Sequence, residues 1–353
     1  PRGKIAAYID FSRDEPHVVY DGWGNIEPLD GQMWFVLLAR ELYYKTNDNR
    51  YVSKDYLDAY FRAIELLDYK ANDGAWLMSW PEFSGWDDQM RRRGQVASLE
   101  GLRILALRAY SELLMIAGYI DESHARSNQA DILTSKMRLI FWLNEKNVDW
   151  LASPYSSELG SGYFSSYREA LTDFVKNNSL PFAQSFLNTA DMGPDTVKRF
   201  DVWANIWTIL SDVANKRQME DVLKYIQDHR LDHPYPVQTL DPVVQPGDDD
   251  WSLFYEKNRN HPYQYHNGAI WPMVTGFYLD VLLKKGDKQS HQSTLYSLMK
   301  LMMKSYDDVE HSFAEYYDPR DASGVVGIGA KIHQCWSGAS VIPHLLGKSI
   351  LTS

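Results

Sequence analysis

Two short stretches of this chain gather carboxylates among aromatic side chains, and the chemistry they suit is acid–base catalysis. "WPEFSGWDDQMRRRG" holds Glu82, Asp87 and Asp88 between tryptophans and ahead of Arg91, Arg92 and Arg93. Adjacent carboxylates point in different directions, so one can line a cavity while its neighbour pairs with an arginine. A purely salt-bridged loop fits the same residues. "HSFAEYYDPRDASG" sets Glu315 among Phe313, Tyr316 and Tyr317. An aromatic setting partly desolvates a carboxylate and makes it a candidate acid or base. The tyrosine hydroxyls can equally hold it ionised, and a surface glutamate before the Asp318-Pro319 turn is the competing reading. Hydrolysis of a glycosidic bond needs such a pair: one acid for the leaving oxygen, and one carboxylate to activate water or attack the sugar.

A third stretch, "HPYQYHNGAIWPMVTGFYLDVLLKKG", puts Tyr265, His266, Asn267 and Trp271 ahead of an apolar run. Aromatic faces beside hydrogen-bonding groups suit a sugar, whose CH faces stack and whose hydroxyls need fixed partners. A packed loop that stabilises a helix entry is the alternative.

No metal or cofactor is called for. His261 and His266 stand five apart across Pro262, His311 and His333 are isolated, and no HExxH pair occurs. Cys335 is the only cysteine, which excludes an internal disulfide and a multi-cysteine metal site. "GVVGIGAK" lacks the order of a phosphate-binding loop, and no GxSxG is present. With 36 basic and 47 acidic residues the formal charge is −11, which argues against nucleic-acid and anionic-membrane partners. The 12 Trp and 23 Tyr exceed what a core needs, which fits a polar ligand, although interface or core use absorbs them equally; with the charge balance, a neutral ligand is the natural inference. No stretch approaches membrane-spanning length and no signal-peptide core opens the chain. A cytoplasmic protein is the default, with a mature secreted form as the other option. The sequence leaves the oligomeric state open.

The elements that must position these residues read as helices. In "SLEGLRILALRAYSELLMIAG", Leu99, Leu102, Ala106, Ala109, Leu113 and Ile116 advance by three and four, and Gly118 closes the run. A helix from about Met273 to Leu283 has Lys284 and Lys285 in its last turn and Gly286 beyond. Comparable patterns begin near Gln32, Asp55, Asp131, Ser165, Val197, Met219, Ser293 and His333, with Asp55 and Asp131 as N-caps or first-turn acids. Strand alternation is scarce. The long connections, which include "SPYSSELGSGYFSS", are where Trp, Tyr, Asp and His collect, as functional loops do. A helical-repeat scaffold that binds a partner would share this composition.

These segments resemble the (α/α)6-barrel glycoside hydrolases, in particular the alkaline/neutral invertases and the bacterial amylo-α-1,6-glucosidase (glycogen-debranching) proteins. "YHNGAIWP" is close to a segment of both groups. "AEYYDPRDASGVVGIGAKIHQCW" is similar to the invertases' PEYYD segment with its following Q-x-W, and "LDGQMWFVLLARELYYKTND" to their D-x-x-x-W helix. "RRRGQVASLEGLRILALRAY", "FDVWANIWTILSDVANKRQMEDVLKYI" and "HPYPVQTLDP" look like the debranching group. The matches span Leu29 to Trp336.

The resemblance implies an all-α (α/α)6 toroid (six-hairpin barrel), with residues 1–353 as a single catalytic domain. Only 29 residues precede Asp30, where those families have further helices. It also implies an inverting, exo-acting hydrolysis of a small neutral α-glucoside, either sucrose or an α-1,6-glucosyl oligosaccharide. Glu315 takes the position of the base. The acid is Asp87 when the loop is aligned with a trehalase-like S-G-W-D, or Asp88 when it is aligned with the debranching W-M-D. Asp30 and Glu100 would shape the sugar pocket, and Trp34, Trp86, Tyr265, His266, Asn267, Trp271, Gln334 and Trp336 would line it. The RRMGVYGHP sequence that follows the invertase acid is absent, which bears on sucrose specificity. A non-catalytic sugar-binding or scaffold protein on the same toroid is the alternative of a different class.

Overall fold

A computed structural model describes residues 3–6, 8–10, 12, 15–20, 28–71, 77–92, 94–142, 144, 181–183, 186–187, 199–254, 258–303, 314–320 and 334–351. Phe313, His311, His333, Arg93, the helix expected near Ser165 and the segments "SPYSSELGSGYFSS" and "GVVGIGAK" lie outside the described residues. The chain divides into two compact units. The first is Pro1–Ser179 with Phe186–Pro194 and Ser211–Val213; the second is Leu180–Ser185, Asp195–Leu210 and Ala214–Ser353.

Among the described residues of the first unit, the helices are α1 (Asp30–Thr46), α2 (Lys54–Lys70), α3 (Ala97–Ile116) and α4 (Ile120–Phe141). α3 packs along both α1 and α4 and is buried over most of its surface, Glu100 and Arg103 included. A helix apolar nearly all round must lie inside its unit, which "SLEGLRILALRAY" satisfies. α1 ends at Asn47, whose left-handed backbone (φ 52°) returns its amide to the Tyr43 carbonyl. α2 starts after Ser53 and carries Asp55 in its first turn, where acids favour the helix dipole.

Asp131 is neither a cap nor a first-turn acid, contrary to the sequence reading. It lies within α4, whose first turn holds Asp121 and Glu122. The stretch before Asp131 buries only Ser123 and Ala130, so its helical period is invisible in apolar residues alone.

The second unit contains α5 (Val202–Leu210), α6 (Lys216–Asp228), α7 (Pro272–Lys285), α8 (Lys288–Met302) and α9 (Cys335–Leu345). α5 starts at Val202 rather than near Val197. Asn215 and Gln218 form a reciprocal capping box at the start of α6. α7 is the central helix and packs on α5, α8 and α9. It has Pro272 at its first position and Gly286 (φ 82°) as its C-cap, as the "WP…KKG" pattern predicts. Gly276 lets α9 approach, because a Cβ there would meet Ser340 at 2.6 Å.

Strands among the described residues are two- or three-residue antiparallel pairs. β1 (Tyr8–Asp10) pairs with β2 (His17–Val19), β3 (Gln95–Val96) with β4 (Phe186–Leu187), and β5 (Phe200–Asp201) with β6 (Leu240–Asp241).

Candidate active site

The first unit builds a carboxylate loop in front of α3. Trp80 and Gly94 exchange backbone hydrogen bonds at 2.8 and 3.1 Å, closing the segment that carries residues 81–92 into a loop. Glu100, one turn into α3, reaches back to it. Its Oε1 accepts from the Met78 amide at 2.6 Å and the Trp80 indole at 2.8 Å, while Arg103 approaches Oε2 at 3.4 Å. Glu100 is 0% exposed, so its part is to hold the loop. Burial pushes its carboxyl up, and Arg103 opposes the rise.

Within the loop, Asp87 and Arg92 form a buried ion pair. Asp88, its neighbour, keeps partial exposure, as do Glu82 and Trp86. Arg91 is exposed. The sequence offers three arginines as partners, and the described geometry pairs Asp87 with Arg92.

The start of α1 is tied to this loop, since the Leu29 amide donates to the Ser84 carbonyl at 3.1 Å. That places Asp30 near Asp87. Part of Asp30's surface is exposed, yet its carboxyl is desolvated. Burial pushes it up to about 7, and the nearby Asp87 charge adds to the rise against a hydrogen bond from Trp34. Asp30 and Trp34, four residues apart on α1, thus share one face beside the carboxylate loop.

The second unit builds the aromatic loop. Asn267 is fully buried. Its side-chain oxygen accepts from the Val244 amide at 2.8 Å, and its nitrogen donates to the carbonyls of Val244 and Asn260 at 2.8 and 3.0 Å. Through these three bonds the Asn267 side chain helps to build the loop. Asn260 adds a bond to the His266 amide at 3.1 Å. Gly268 is required here: its φ is 89°, and a Cβ would stand 2.4 Å from Val243.

Four rings stack behind this turn. His266 lies parallel to Trp271 at 5.2 Å (11°), Trp271 lies on Tyr316 at 5.6 Å (27°), and Tyr265 meets Tyr316 edge-on at 5.4 Å. The Trp271 indole donates to the Tyr265 carbonyl at 2.9 Å. All four rings are buried.

The Glu315 segment is joined to that stack. Ile270 and Tyr317 exchange backbone hydrogen bonds, both 2.9 Å, and the Ser337 hydroxyl of α9 donates to the Ala314 carbonyl at 2.8 Å. Glu315 is held between these two fixings and is buried. Gln334 occupies the N-cap position of α9 without a side-chain capping bond and is partly exposed, while Trp336 is 43% exposed. The second unit thus brings Tyr265, His266, Trp271 and Glu315 together, with Gln334 and Trp336 at the start of the helix that fixes Ala314.

Sequence reasoning does not find Asn260, Trp80 or Ser337. Asn260 just ahead of the "HPYQYHNG" stretch is the available signal, as a side chain able to satisfy turn amides. Among the described residues, no three His, Cys, Asp or Glu side chains gather to hold a metal. Nor is any helix among them long and apolar enough to cross a membrane.

A family model described as alkaline and neutral invertase matches residues 20–352, and the chain belongs to that family. Alkaline/neutral invertase C, mitochondrial, of Arabidopsis thaliana is 23% identical over 335 residues, covering 90% of this chain and 48% of that protein. Neutral/alkaline invertase 1, mitochondrial, of Oryza sativa subsp. japonica is 22% identical over 332 residues, covering 90% and 51%. The chain spans about half the length of these relatives. Their names carry an organelle, so they lend no support to the cytoplasmic expectation.

Among solved structures, a rhamnosidase from Klebsiella oxytoca with rhamnose bound aligns with TM-score 0.60 at 13% identity, over 96% of this chain and 50% of that one. A GH63 mannosylglycerate hydrolase from Thermus thermophilus in complex with glucose aligns with TM-score 0.60 at 12% identity, over 96% and 78%. Likeness at this level shows the fold alone, which is the all-α (α/α)6 class expected from the sequence.

Proposed function

We propose that this protein is an exo-acting, inverting glycoside hydrolase of a small neutral α-glucoside. Asp88 serves as the acid, Glu315 as the base, and Tyr265, His266 and Trp271 as part of the wall that orients the sugar. The observation that carries the reading is the joining of the Glu315 segment to the aromatic loop through Ile270 and Tyr317. The backbone that carries Glu315 is thereby tied to the loop whose rings are of the type that recognise a pyranose.

Asp88 is preferred to Asp87 because Asp87 is committed to Arg92 in a buried pair. In the reaction, Asp88 gives its proton to the glycosidic oxygen as the bond from the anomeric carbon breaks. Glu315 takes a proton from the water that attacks the opposite face. Each turnover therefore leaves Asp88 ionised and Glu315 protonated, and solvent exchange resets both.

Sucrose is the first substrate to test, since the relatives are named invertases. An α-1,6-glucosyl oligosaccharide is the second. The decisive experiment incubates the protein with sucrose, isomaltose, trehalose, maltose and limit dextrin. It assays glucose and fructose separately and follows the anomer released by proton NMR. β-Glucose appearing first supports inversion; α-glucose first overturns it. The buried Asp87–Arg92 pair, which withdraws one of the two candidate acids, favours a second reading, a sugar-binding or scaffold protein without hydrolysis. Sugar binding with no product from any substrate would establish that reading instead.

A further inference from the structure

On the first unit, α2, the C-terminal half of α3 and the start of α4 enclose a cavity of about 330 Å³ that the proposed reaction does not use. Two of its lining rings are open to solvent: Phe61 and Tyr119 are each 41% exposed. The Tyr119 ring meets no other ring among the described residues. Tyr110 is buried below them, and among the described residues its hydroxyl makes a single long contact, 3.4 Å to the Leu57 carbonyl.

The polar groups that line the cavity balance in charge. Lys54 pairs with Asp58 at 2.6 Å. Glu122 lines the same space and pairs with none of the described residues. The Arg126 guanidinium lies 5.8 Å from the Phe61 ring centre and 6.0 Å from that of Tyr110. Arg126 spends one amino nitrogen on Asp68 and Gln129, at 2.6 and 2.9 Å. Its other two nitrogens make no bond to described residues.

An anion in this space would meet Asp58 and Glu122, and a cation would meet Lys54 and Arg126. A purely apolar molecule would strip water from four charged groups without replacing it. What remains is a neutral molecule with an apolar face and several hydroxyls. The volume lies at the low end of ligand sites, which suits one ring rather than a chain.

The cavity is also wired to the carboxylate loop. Arg126 bonds Asp68, Asp68 accepts from Arg103 at 3.2 Å, Arg103 reaches Glu100, and Glu100 holds Met78 and Trp80. Every link is a hydrogen bond inside one unit, and Arg103 and Glu100 are buried where such bonds are strongest.

We propose that this cavity is a second carbohydrate site that takes a single neutral pyranose between Phe61, Tyr119 and Arg126. Its occupancy acts on the carboxylate loop through Asp68, Arg103 and Glu100. A hydroxyl that draws Arg126 toward the cavity loosens its bond to Asp68, and the strain passes to Arg103.

The test is hydrogen exchange read by mass spectrometry on the whole chain with glucose as probe and glycerol at equal concentration as control. Glucose slows exchange in residues 54–61 and 119–126 of the wild type, and glycerol does not. Phe61→Ser and Tyr119→Ser, both at exposed positions, remove that protection and lessen the glucose effect on residues 77–92. Absent protection at saturating glucose, protection matched by glycerol, or protection that survives in the double variant would each overturn the site. An unchanged response of residues 77–92 in the variants would overturn the link alone. The readout lies in α2 and α4, so it stands whether or not the protein hydrolyses any sugar.

Discussion

Trp80 and Glu100, twenty residues apart, are joined by a 2.8 Å bond from indole to carboxylate inside the first unit. The same Glu100 oxygen takes the Met78 amide. Glu100→Ala would leave two buried donors and the Arg103 guanidinium without this acceptor, at a cost of roughly 3–5 kcal/mol. Glu100→Gln keeps the oxygen for Met78 and Trp80 but turns an amide NH2 toward the Arg103 guanidinium, losing that acceptor and its charge, so it should cost less than alanine. Urea unfolding of the three proteins reads the order. An alanine variant as stable as the wild type would mean that Glu100 does not hold the loop.

Asp30 gives a pH prediction with a definite sign. Its carboxyl rises from 3.8 to about 7 in the folded protein, so between those values the folded state binds the proton and the unfolded state releases it. Stability therefore falls as pH rises from about 4 to 7 and levels off above. Asp30→Asn cannot titrate, so the stability of the wild type minus that of the variant should decline across this window and stay flat beyond it. Unfolding midpoints at half-unit pH steps check this, and a flat difference would count against a protonated Asp30.

Asp87 and Asp88 should separate under the same substitution. Asp88→Asn should lower turnover by about 10²–10⁴-fold with little change in stability, as the loss of a general acid does. Asp87→Asn removes the charge that the buried Arg92 pairs with, so its main effect should be a lower unfolding midpoint. Near-normal turnover in both variants would reduce the loop to a structural element. The reverse pattern would make Asp87 the acid.

The helices are legible in the sequence where one face is apolar and the ends carry signals. α7 is the clear case, with Pro272 at its start, Lys284 and Lys285 in its last turn and Gly286 beyond. The first half of α4 is illegible because it buries small or polar residues, Ser123 and Ala130. In the loops the residue types are readable and the partners are not. "DDQMRRR" announces an ion pair, but only folded geometry selects Asp87 with Arg92. Asn267 reads like a ligand-facing amide, and it takes the three-dimensional approach of Val244 and Asn260 to show that the amide is already engaged. Side chains that satisfy backbone groups far along the chain leave no local pattern, which is why Ser337, 23 residues from Ala314, escapes a sequence reading.

Glu315 carries the last prediction. The segment is fixed on both sides, at Ala314 by Ser337 and at Tyr317 by Ile270, through bonds that a Glu315 substitution leaves in place. Glu315→Gln should therefore fold as the wild type does, with the same melting temperature within error. The amide retains the shape and an acceptor oxygen but cannot take a proton from water. Glucose binding should be kept, and kcat should fall by about 10²–10⁴-fold. Ser337→Ala provides the contrast. It removes the bond to the Ala314 carbonyl, worth about 1 kcal/mol, and loosens the base without abolishing it, so kcat should drop by roughly tenfold or less. A Glu315→Gln enzyme that turns over like the wild type would end the assignment of Glu315 as base, and a Ser337→Ala loss as deep as that of Glu315→Gln would shift the critical role to the backbone of the segment.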